Sequence, residues 1–395
     1  MSWRRIIAGA IGALVLGGGG WFASLDKETR AILLHLPTNA DVLSWPQDKR
    51  DIAFRAMDRL AFLARSREIL PSTSPLQLPP GKPLQIPGLD AYLRSQNLAA
   101  MVILQHGKVR VERYGLGFDA SGRWTSFSVA KSFTSTLVGA AIQDGAIKSL
   151  EDKVSQYVSG LRGSAYDDVT IRQLLTMSSG VRWNEDYEDP NSDVSRFNKE
   201  PPDPGLDALV SYMRKLPRAH SPGQVWRYST GESNLVGVLV SSATGKTLAQ
   251  YLQEKIWQPA GMEARATWIL AKTGQEIAGC CIQAATRDFA RMGLFVLANG
   301  VAQGKQIVPP DWFAQATTKQ KAIGAPGRGY GFQWWTYDDG AVAARGIFGQ
   351  GLFIDAKRQL VIATNGNWSR ASLGPEPAAR EAFYRQVQAI IDAGG

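Results

Sequence analysis

Ser128 and Lys131 stand three residues apart in Ser126-Phe127-Ser128-Val129-Ala130-Lys131-Ser132. On a helix that spacing puts both side chains on one face. A serine hydroxyl is a weak nucleophile until a base takes its proton, and a lysine amine can be that base only when neutral. Burial and neighbouring cations lower a lysine pKa by disfavouring its charged form. A helix start also turns backbone N–H groups toward the serine, where they can hold a developing oxyanion. The Ser-x-x-Lys spacing is weak evidence alone. Ser24 and Lys27 repeat it, with no apolar helix after them. Ser128 instead precedes Ser132 to Ile142, apolar and rich in small residues, the pattern of a buried helix.

Two further stretches could complete such a site. Trp226-Arg227-Tyr228-Ser229-Thr230-Gly231-Glu232-Ser233-Asn234 offers Tyr228, a phenol able to shuttle a proton if a nearby ammonium stabilises its phenolate. Arg345-Gly346-Ile347-Phe348-Gly349-Gln350-Gly351 places three glycines in an apolar strand. Glycine weakens a strand unless backbone must approach something closely. Other chemistries lack support. No Gly-x-Ser-x-Gly elbow is present. Gly245-Lys246-Thr247 lacks the first glycine of a phosphate loop, since Val240 stands there. Cys280 and Cys281 are adjacent, a spacing that rarely reaches ordinary disulfide geometry, so they read as small buried filler. With only His35, His106 and His220, no metal centre is expected.

The elements that must position these residues follow from pattern. The 395 residues are 44% hydrophobic and 20% charged, ordinary for a globular chain long enough to bury a large core. The net charge of +9 is too dispersed to argue for nucleic acid. Arg4 and Arg5 precede an apolar run from Ile6 to Phe22, which reads as a signal peptide or uncleaved anchor over 1–25. That start predicts inner-membrane association through 1–25, with the bulk of the chain exported or on the periplasmic face. Residues 26–87 read as a helical segment followed by a Pro-rich linker or wrapping arm. The main domain is then 88–395. Within it Ala99–Leu104 and Val109–Tyr114 read as a hairpin. Ala341–Ile354 and Leu360–Asn365 read as strands, and Glu376–Ile391 as a closing helix. Strands at both ends with helices between predict an α/β (α+β) fold. In it an antiparallel sheet is flanked by helices, with a mostly helical subdomain inserted. The polar, Pro-rich stretch 186–205 is a long loop able to rim a cleft. Tyr187, Asp189 and Asp193 on it could meet a substrate ammonium. Trp183, Trp226, Trp334 and Trp335 are available to line an apolar wall.

Ser128-Val129-Ala130-Lys131, then Tyr228, then a glycine strand near 346, keep the order of the serine β-lactamase and penicillin-binding superfamily. The chain resembles its class C-like branch, with Thr170–Gly180 and Asp288–Gly293 as supporting stretches. Tyr228-Ser229-Thr230-Gly231 with Phe348-Gly349-Gln350 is most similar to 6-aminohexanoate-dimer hydrolases and β-lactamase-like esterases. The resemblance implies Ser128 as acylated nucleophile, Lys131 as its base and Tyr228 as second proton carrier. It implies an oxyanion hole from the backbone N–H groups of Ser128 and Ile347, with Arg345, Gly346 and Phe348 beside the substrate. Two departures stand out. Thr230 replaces the Asn of Tyr-x-Asn, and Ala344-Arg345-Gly346 replaces Lys-Thr-Gly. Their loss disfavours lactams and fits a linear amide or ester as the small-molecule substrate, with no cofactor required. A D-alanyl-D-alanine carboxypeptidase or weak β-lactamase is the rival enzymatic reading. A non-catalytic penicillin-binding-like sensing module is the rival from another class. The sequence leaves the oligomeric state open.

Overall fold

The computed structural model describes residues 19–25, 27–35, 37, 39, 41–59 and 65–395. The expected anchor over 1–25 falls largely outside them. No helix among the described residues is long and apolar enough to cross a membrane. The strands are β1 (Ser66–Ile69), β2 (Leu98–Gln105), β3 (Lys108–Tyr114), β4 (Trp124–Thr125), β5 (Ala266–Ile269), β6 (Ile282–Ala284) and β7 (Val301–Ala302). They continue with β8 (Lys305–Gln306), β9 (Lys321–Ala322), β10 (Arg328–Tyr330), β11 (Trp335–Tyr337), β12 (Val342–Arg345), β13 (Gly351–Asp355) and β14 (Leu360–Gly366). Eight of them form one antiparallel sheet in the order β3-β2-β14-β13-β12-β11-β10-β9. Early and late chain thus meet at β2 and β14, where Ile103 pairs with Ile362.

Alternation along these strands sends side chains to two cores. Val102, Leu104, Val361 and Ala363 face the larger one, built with the helices inserted between β3 and β9. Met101, Ile103, Phe353 and Ile362 face a second core. That side is closed by Phe383, Tyr384 and Val387 of the last helix, Glu376–Asp392. The sheet therefore lies between helical layers, as the α+β expectation required. A smaller sheet, β1-β5-β6-β4, lies beside the nucleophile segment.

Four helices matter for the site: α1 (Ala130–Gln143), α2 (Ile171–Leu175), α3 (Thr230–Thr244) and α4 (Thr286–Leu297). Helix α1 is buried nearly all round, so its hydroxyls must bond inside the protein. Ser132 and Ser135 donate to the carbonyls of Gln333 and Phe332 at 2.7 and 2.6 Å. Thr134 donates to the carbonyl of Ala278 at 2.8 Å. These bonds fix α1 between the main sheet and the 278–282 turn. Helix α2 opens with a capping box of Thr170 and Gln173. Helix α3 starts at the Ser229 cap, which accepts from the N–H of Glu232 at 3.1 Å.

Two local expectations are corrected, and one alternative is decided. Residues 66–69 form a strand rather than the end of a helical segment, because β5 supplies a pairing edge. Residues 341–354 are not one strand. They fold back as antiparallel neighbours β12 and β13, with Arg345 opposite Gly351. Phe348 at φ 59 and Gly349 at φ 97 make that reversal. Pro-rich residues 79–84 lie along β3 as an arm, the N–H groups of Gly81 and Leu84 donating to the carbonyls of Val109 and Arg110.

The Asp288–Gly293 stretch has a structural explanation in α4. The fully buried Asp288 carboxylate accepts from the N–H groups of Glu263 and Ala264 at 2.8 and 2.9 Å and from Arg291 at 2.8 Å. Asp288→Ala strands two N–H donors and takes from the buried Arg291 one of its two carboxylate partners, leaving Glu263 at 2.6 Å. Breaking a buried pair from one side costs about 3–5 kcal/mol. Denaturant unfolding of the variant should show a loss of that size.

Candidate active site

Ser128 sits where the chain leaves β4 and enters α1 through a short 3-10 turn, Phe127–Val129. Its segment is tied to β6: the N–H of Ser126 donates to the carbonyl of Ile282 at 2.8 Å. The N–H of Ile282 donates back to Ser126 Oγ at 3.0 Å. Phe127 holds φ 41, a left-handed conformation unusual for an aromatic residue. Strain of that kind persists only when the surroundings impose it, and here both neighbouring sheets do.

Lys131 is 1% exposed. Its Nζ lies 3.2 Å from Ser128 Oγ, 3.0 Å from Thr230 Oγ1 and 2.7 Å from the carbonyl of Gly279. All three partners are neutral oxygens. Burial pulls the amine down to about 8, against the weaker upward influence of the Glu185 charge. Gly279 leaves little room here. A Cβ on it would stand 3.1 Å from Lys131 Nζ and 3.1 Å from the Thr230 carbonyl. Asn234, one turn into α3, holds that glycine by accepting from its N–H at 2.9 Å and donating to the Thr230 carbonyl at 3.1 Å.

Tyr228 precedes the α3 cap and is positioned from α2. The N–H of Arg227 donates to the carbonyl of Met177 at 2.8 Å. The ring stacks on Trp335 at 5.6 Å, with Trp226 and Tyr330 around it. Its centroid lies 5.3 Å from Lys131 Nζ. Burial first, then the Glu185 charge, push the phenol well above its ordinary range, while hydrogen bonding with Ser128 pulls the other way. Tyr228 is therefore a neutral phenol near neutral pH, and of the two groups beside Ser128 the Lys131 amine gives up its proton more easily.

A cleft of about 320 Å³ opens at these residues. Ser128, Tyr187, Tyr228, Trp335, Arg345, Gly346, Ile347, Trp368 and Arg380 are among the residues that line it. The N–H groups of Ser128 and Ile347 find no acceptor among the described residues. Gly346 lets the end of β12 reach the nucleophile turn. A Cβ on it would be 2.7 Å from the Ser126 carbonyl and 3.0 Å from Phe127 Cβ. The glycine strand expected from sequence thus makes its close approach to the backbone beside Ser128.

The structure brings Ser128, Lys131, Tyr228, Tyr187, Arg345, Gly346 and Ile347 together and separates Trp183, Asp189, Asp193 and Phe348 from the cleft. Trp183 packs on Phe197 and sends its indole N–H to Glu185. Asp193 accepts from the N–H of Asn184 at 2.7 Å and from Tyr212 at 2.7 Å. Asp189 accepts from the N–H of Asn191 at 2.8 Å. Both carboxylates hold the loop's own shape and neither lines the cleft. Phe348 is buried against Phe54 and Phe127. Arg345 pairs with Glu381 at 2.6 Å. Cys280 and Cys281, expected as separate buried thiols, are bonded to each other. The left-handed backbone of Cys281, at φ 75, turns the neighbouring sulfurs together.

One central residue went unnoticed in the sequence. Glu185 accepts from Tyr187 at 2.6 Å, from the N–H of Thr230 at 2.9 Å, from Thr230 Oγ1 and from the Trp183 indole. Thr230 therefore relays between Glu185 and Lys131. Nothing in the sequence distinguishes Glu185 from Asp186, Glu188, Asp189 and Asp193 in the same acidic stretch.

Helical layers around an antiparallel sheet, with a serine, a buried lysine and a tyrosine at one cleft, define the class. A family model described as Beta-lactamase matches residues 94–385, and the chain belongs to the beta-lactamase family of hydrolases. It is 28% identical over 328 residues to a 6-aminohexanoate-dimer hydrolase of Paenarthrobacter ureafaciens, covering 78% of this chain and 80% of that protein. Among solved structures, the "Putative 6-aminohexanoate-dimer hydrolase from Bacillus anthracis" superposes with a TM-score of 0.76 at 24% identity, over 87% of this chain and 95% of that one. A family VIII carboxylesterase gives a TM-score of 0.56 at 17% identity, over 77% and 99%. Likenesses at these identities establish the shared fold.

Glu185→Gln keeps the volume but replaces an acceptor pair by one acceptor and one donor. Four donors then compete for too few lone pairs, and leaving buried donors unmet costs about 1–3 kcal/mol. Because Glu185 raises the Lys131 pKa, its loss lowers it. Thermal unfolding should report the destabilisation, and the acid limb of the pH–rate profile should move below about 8.

Proposed function

We propose that the protein is a serine hydrolase acting through an acyl-enzyme on linear amides or esters. The observation that carries this reading is the 3.2 Å approach of Ser128 Oγ to a buried amine held near 8, at a cleft shared with the Tyr228 phenol. In this reading neutral Lys131 takes the Ser128 proton as Oγ bonds to the substrate carbonyl carbon. The N–H groups of Ser128 and Ile347 hold the oxyanion. The intermediate collapses by breaking the bond to the leaving nitrogen or oxygen. Tyr228 gives that atom a proton and recovers one from the Lys131 ammonium. Water then adds to the acyl-enzyme, losing its proton to the same pair, and Ser128 departs protonated.

A linear substrate is favoured over a lactam by the chain's own residues. Ala344 stands at the position of the family's strand lysine, and the neighbouring Arg345 is committed to Glu381 and to the Tyr337 hydroxyl. Thr230, in place of the amide of Tyr-x-Asn, is engaged by Lys131 and Glu185. The likeness to a 6-aminohexanoate-dimer hydrolase supports the same preference. The basic-then-apolar start of the chain supports an exported or periplasmic-face location.

Intact-mass measurement after a fluorophosphonate probe should show one adduct on the parent protein and none on Ser128→Ala. Hydrolysis by that variant should fall by on the order of 10⁴-fold or more. Equal labelling of both would remove Ser128 from the mechanism. A chromogenic cephalosporin turned over faster than short acyl esters and 6-aminohexanoate dimer would overturn the linear-substrate preference. Since the base form of Lys131 accumulates as pH rises, kcat/KM should climb through an apparent pKa of about 8.

A further inference from the structure

The short helix Gln47–Ala53 and the residue after it, Phe54, precede the stretch matched by the family model. They nevertheless reach both backbone segments that carry the candidate oxyanion donors. Arg50 is 4% exposed and directs its guanidinium at backbone. Its Nη2 donates to the carbonyls of Trp368 and Ser369 at 2.8 and 3.1 Å, and its Nη1 to the carbonyl of Trp45 at 3.1 Å. Its Nε donates to the Asn367 side chain at 2.8 Å. Segment 368–371 in turn holds Phe348 from both ends. The N–H of Phe348 donates to the carbonyl of Ala371 at 2.8 Å, and the N–H of Trp368 donates to the carbonyl of Phe348 at 3.0 Å. The Arg50 guanidinium also lies 4.3 Å from the centre of the Phe348 ring. Ile347 is the residue just before. Phe54 serves the other half. Its carbonyl accepts from the N–H of Thr125 at 2.9 Å, at the end of β4, the strand that leads into the Ser128 turn. Its fully buried ring meets Phe127 at 4.9 Å and Phe348 at 5.3 Å.

An apolar side chain would fill this space without the desolvation cost of a buried guanidinium. The arginine fork does what an apolar group does not, which is to fix several oxygens relative to one another. Here those oxygens belong to the segment that holds Phe348 at φ 59, a left-handed conformation that persists only when its surroundings impose it. Phe127, at φ 41 on the nucleophile side, needs the same support and shares Phe54 as a neighbour. We infer that Arg50 and Phe54 are positioning residues for acyl transfer, setting the Ser128 and Ile347 N–H groups so that both meet one oxyanion. The inference rests on the hydrolase reading above. It assigns part of the rate to a segment far in sequence from Ser128, Lys131 and Tyr228. Neither residue lines the cleft, so neither meets the ground-state substrate. Lys131 is held by other groups.

The expected signature is a loss of kcat with KM and the pH profile held. On 4-nitrophenyl acetate, Arg50→Gln and Phe54→Leu should lower kcat by about tenfold to a hundredfold, the scale for misplaced oxyanion donors, with KM moving less than about threefold. The apparent pKa should stay at about 8, because the burial of Lys131 is untouched. Phenylboronic acid becomes tetrahedral when Ser128 Oγ bonds to its boron, and one of its oxygens then occupies the oxyanion position. Its affinity should fall by the same factor as kcat. Arg50→Lys can still donate to the carbonyls of Trp368 and Ser369 and should recover part of kcat; it also serves if the Gln variant does not fold. Circular dichroism checks that each variant is folded at the assay temperature. Unchanged kcat and boronate affinity in folded variants overturn the inference. So does a loss of kcat with boronate affinity intact, a displaced apparent pKa, or an Arg50→Lys no more active than a folded Arg50→Gln. Failure of the hydrolase reading looks different, because it shows in the parent protein as the absence of a fluorophosphonate adduct on Ser128.

Discussion

The site depends on an amine that is buried among oxygens but not touched by a carboxylate. Lys131 sits among Ser128 Oγ, Thr230 Oγ1 and the Gly279 carbonyl. Burial without a direct counter-ion destabilises the ammonium, which is why the amine is held near 8. A carboxylate in direct contact would have fixed the charge and abolished the base. Complete isolation would have driven the pKa lower, leaving an amine too weak to take a serine proton. Glu185 stands between these extremes, one hydroxyl removed, with Thr230 as the spacer. The substitution of Thr for the usual amide is thus part of the tuning of Lys131.

Holding three groups from distant parts of the chain to such distances requires backbone that cannot drift. Two left-handed aromatic residues mark where this is done: Phe127 before the nucleophile and Phe348 after Ile347. They meet directly, with ring centroids 5.6 Å apart, and both pack on Phe54 in one cluster. The nucleophile turn and the β12–β13 reversal are therefore locked to each other by packing as well as by the Gly346 approach. The N–H groups of Ser128 and Ile347, without an acceptor among the described residues, are products of that lock. Preorganised donors of this kind hold developing charge without reorganising at the moment of reaction.

Much of this was legible in the sequence because it is local or periodic. Ser128 and Lys131 share a helix face, so their proximity follows from spacing alone. The sheet strands alternate, so the α+β architecture followed from pattern. What escaped has long-range causes. The strand at 66–69 exists because β5, far along the chain, offers an edge. The 341–354 stretch reads as one run of strand residues, and only left-handed φ values at Phe348 and Gly349 divide it. Glu185 is chosen from an acidic loop by where Trp183, Tyr187 and Thr230 place their donors, which composition does not encode. The expected acidic rim failed for a related reason. Loops rich in Asp and Asn satisfy their own backbone first, and Asp189 and Asp193 do that.

The Glu185 network is complete before any ligand arrives. Each donor that Trp183, Tyr187 and Thr230 turn toward Glu185 has its acceptor, and Lys131 Nζ is surrounded by three neutral oxygens. Completeness of that kind is what a preorganised site needs, since reorientation at the moment of reaction would consume the stabilisation its groups supply.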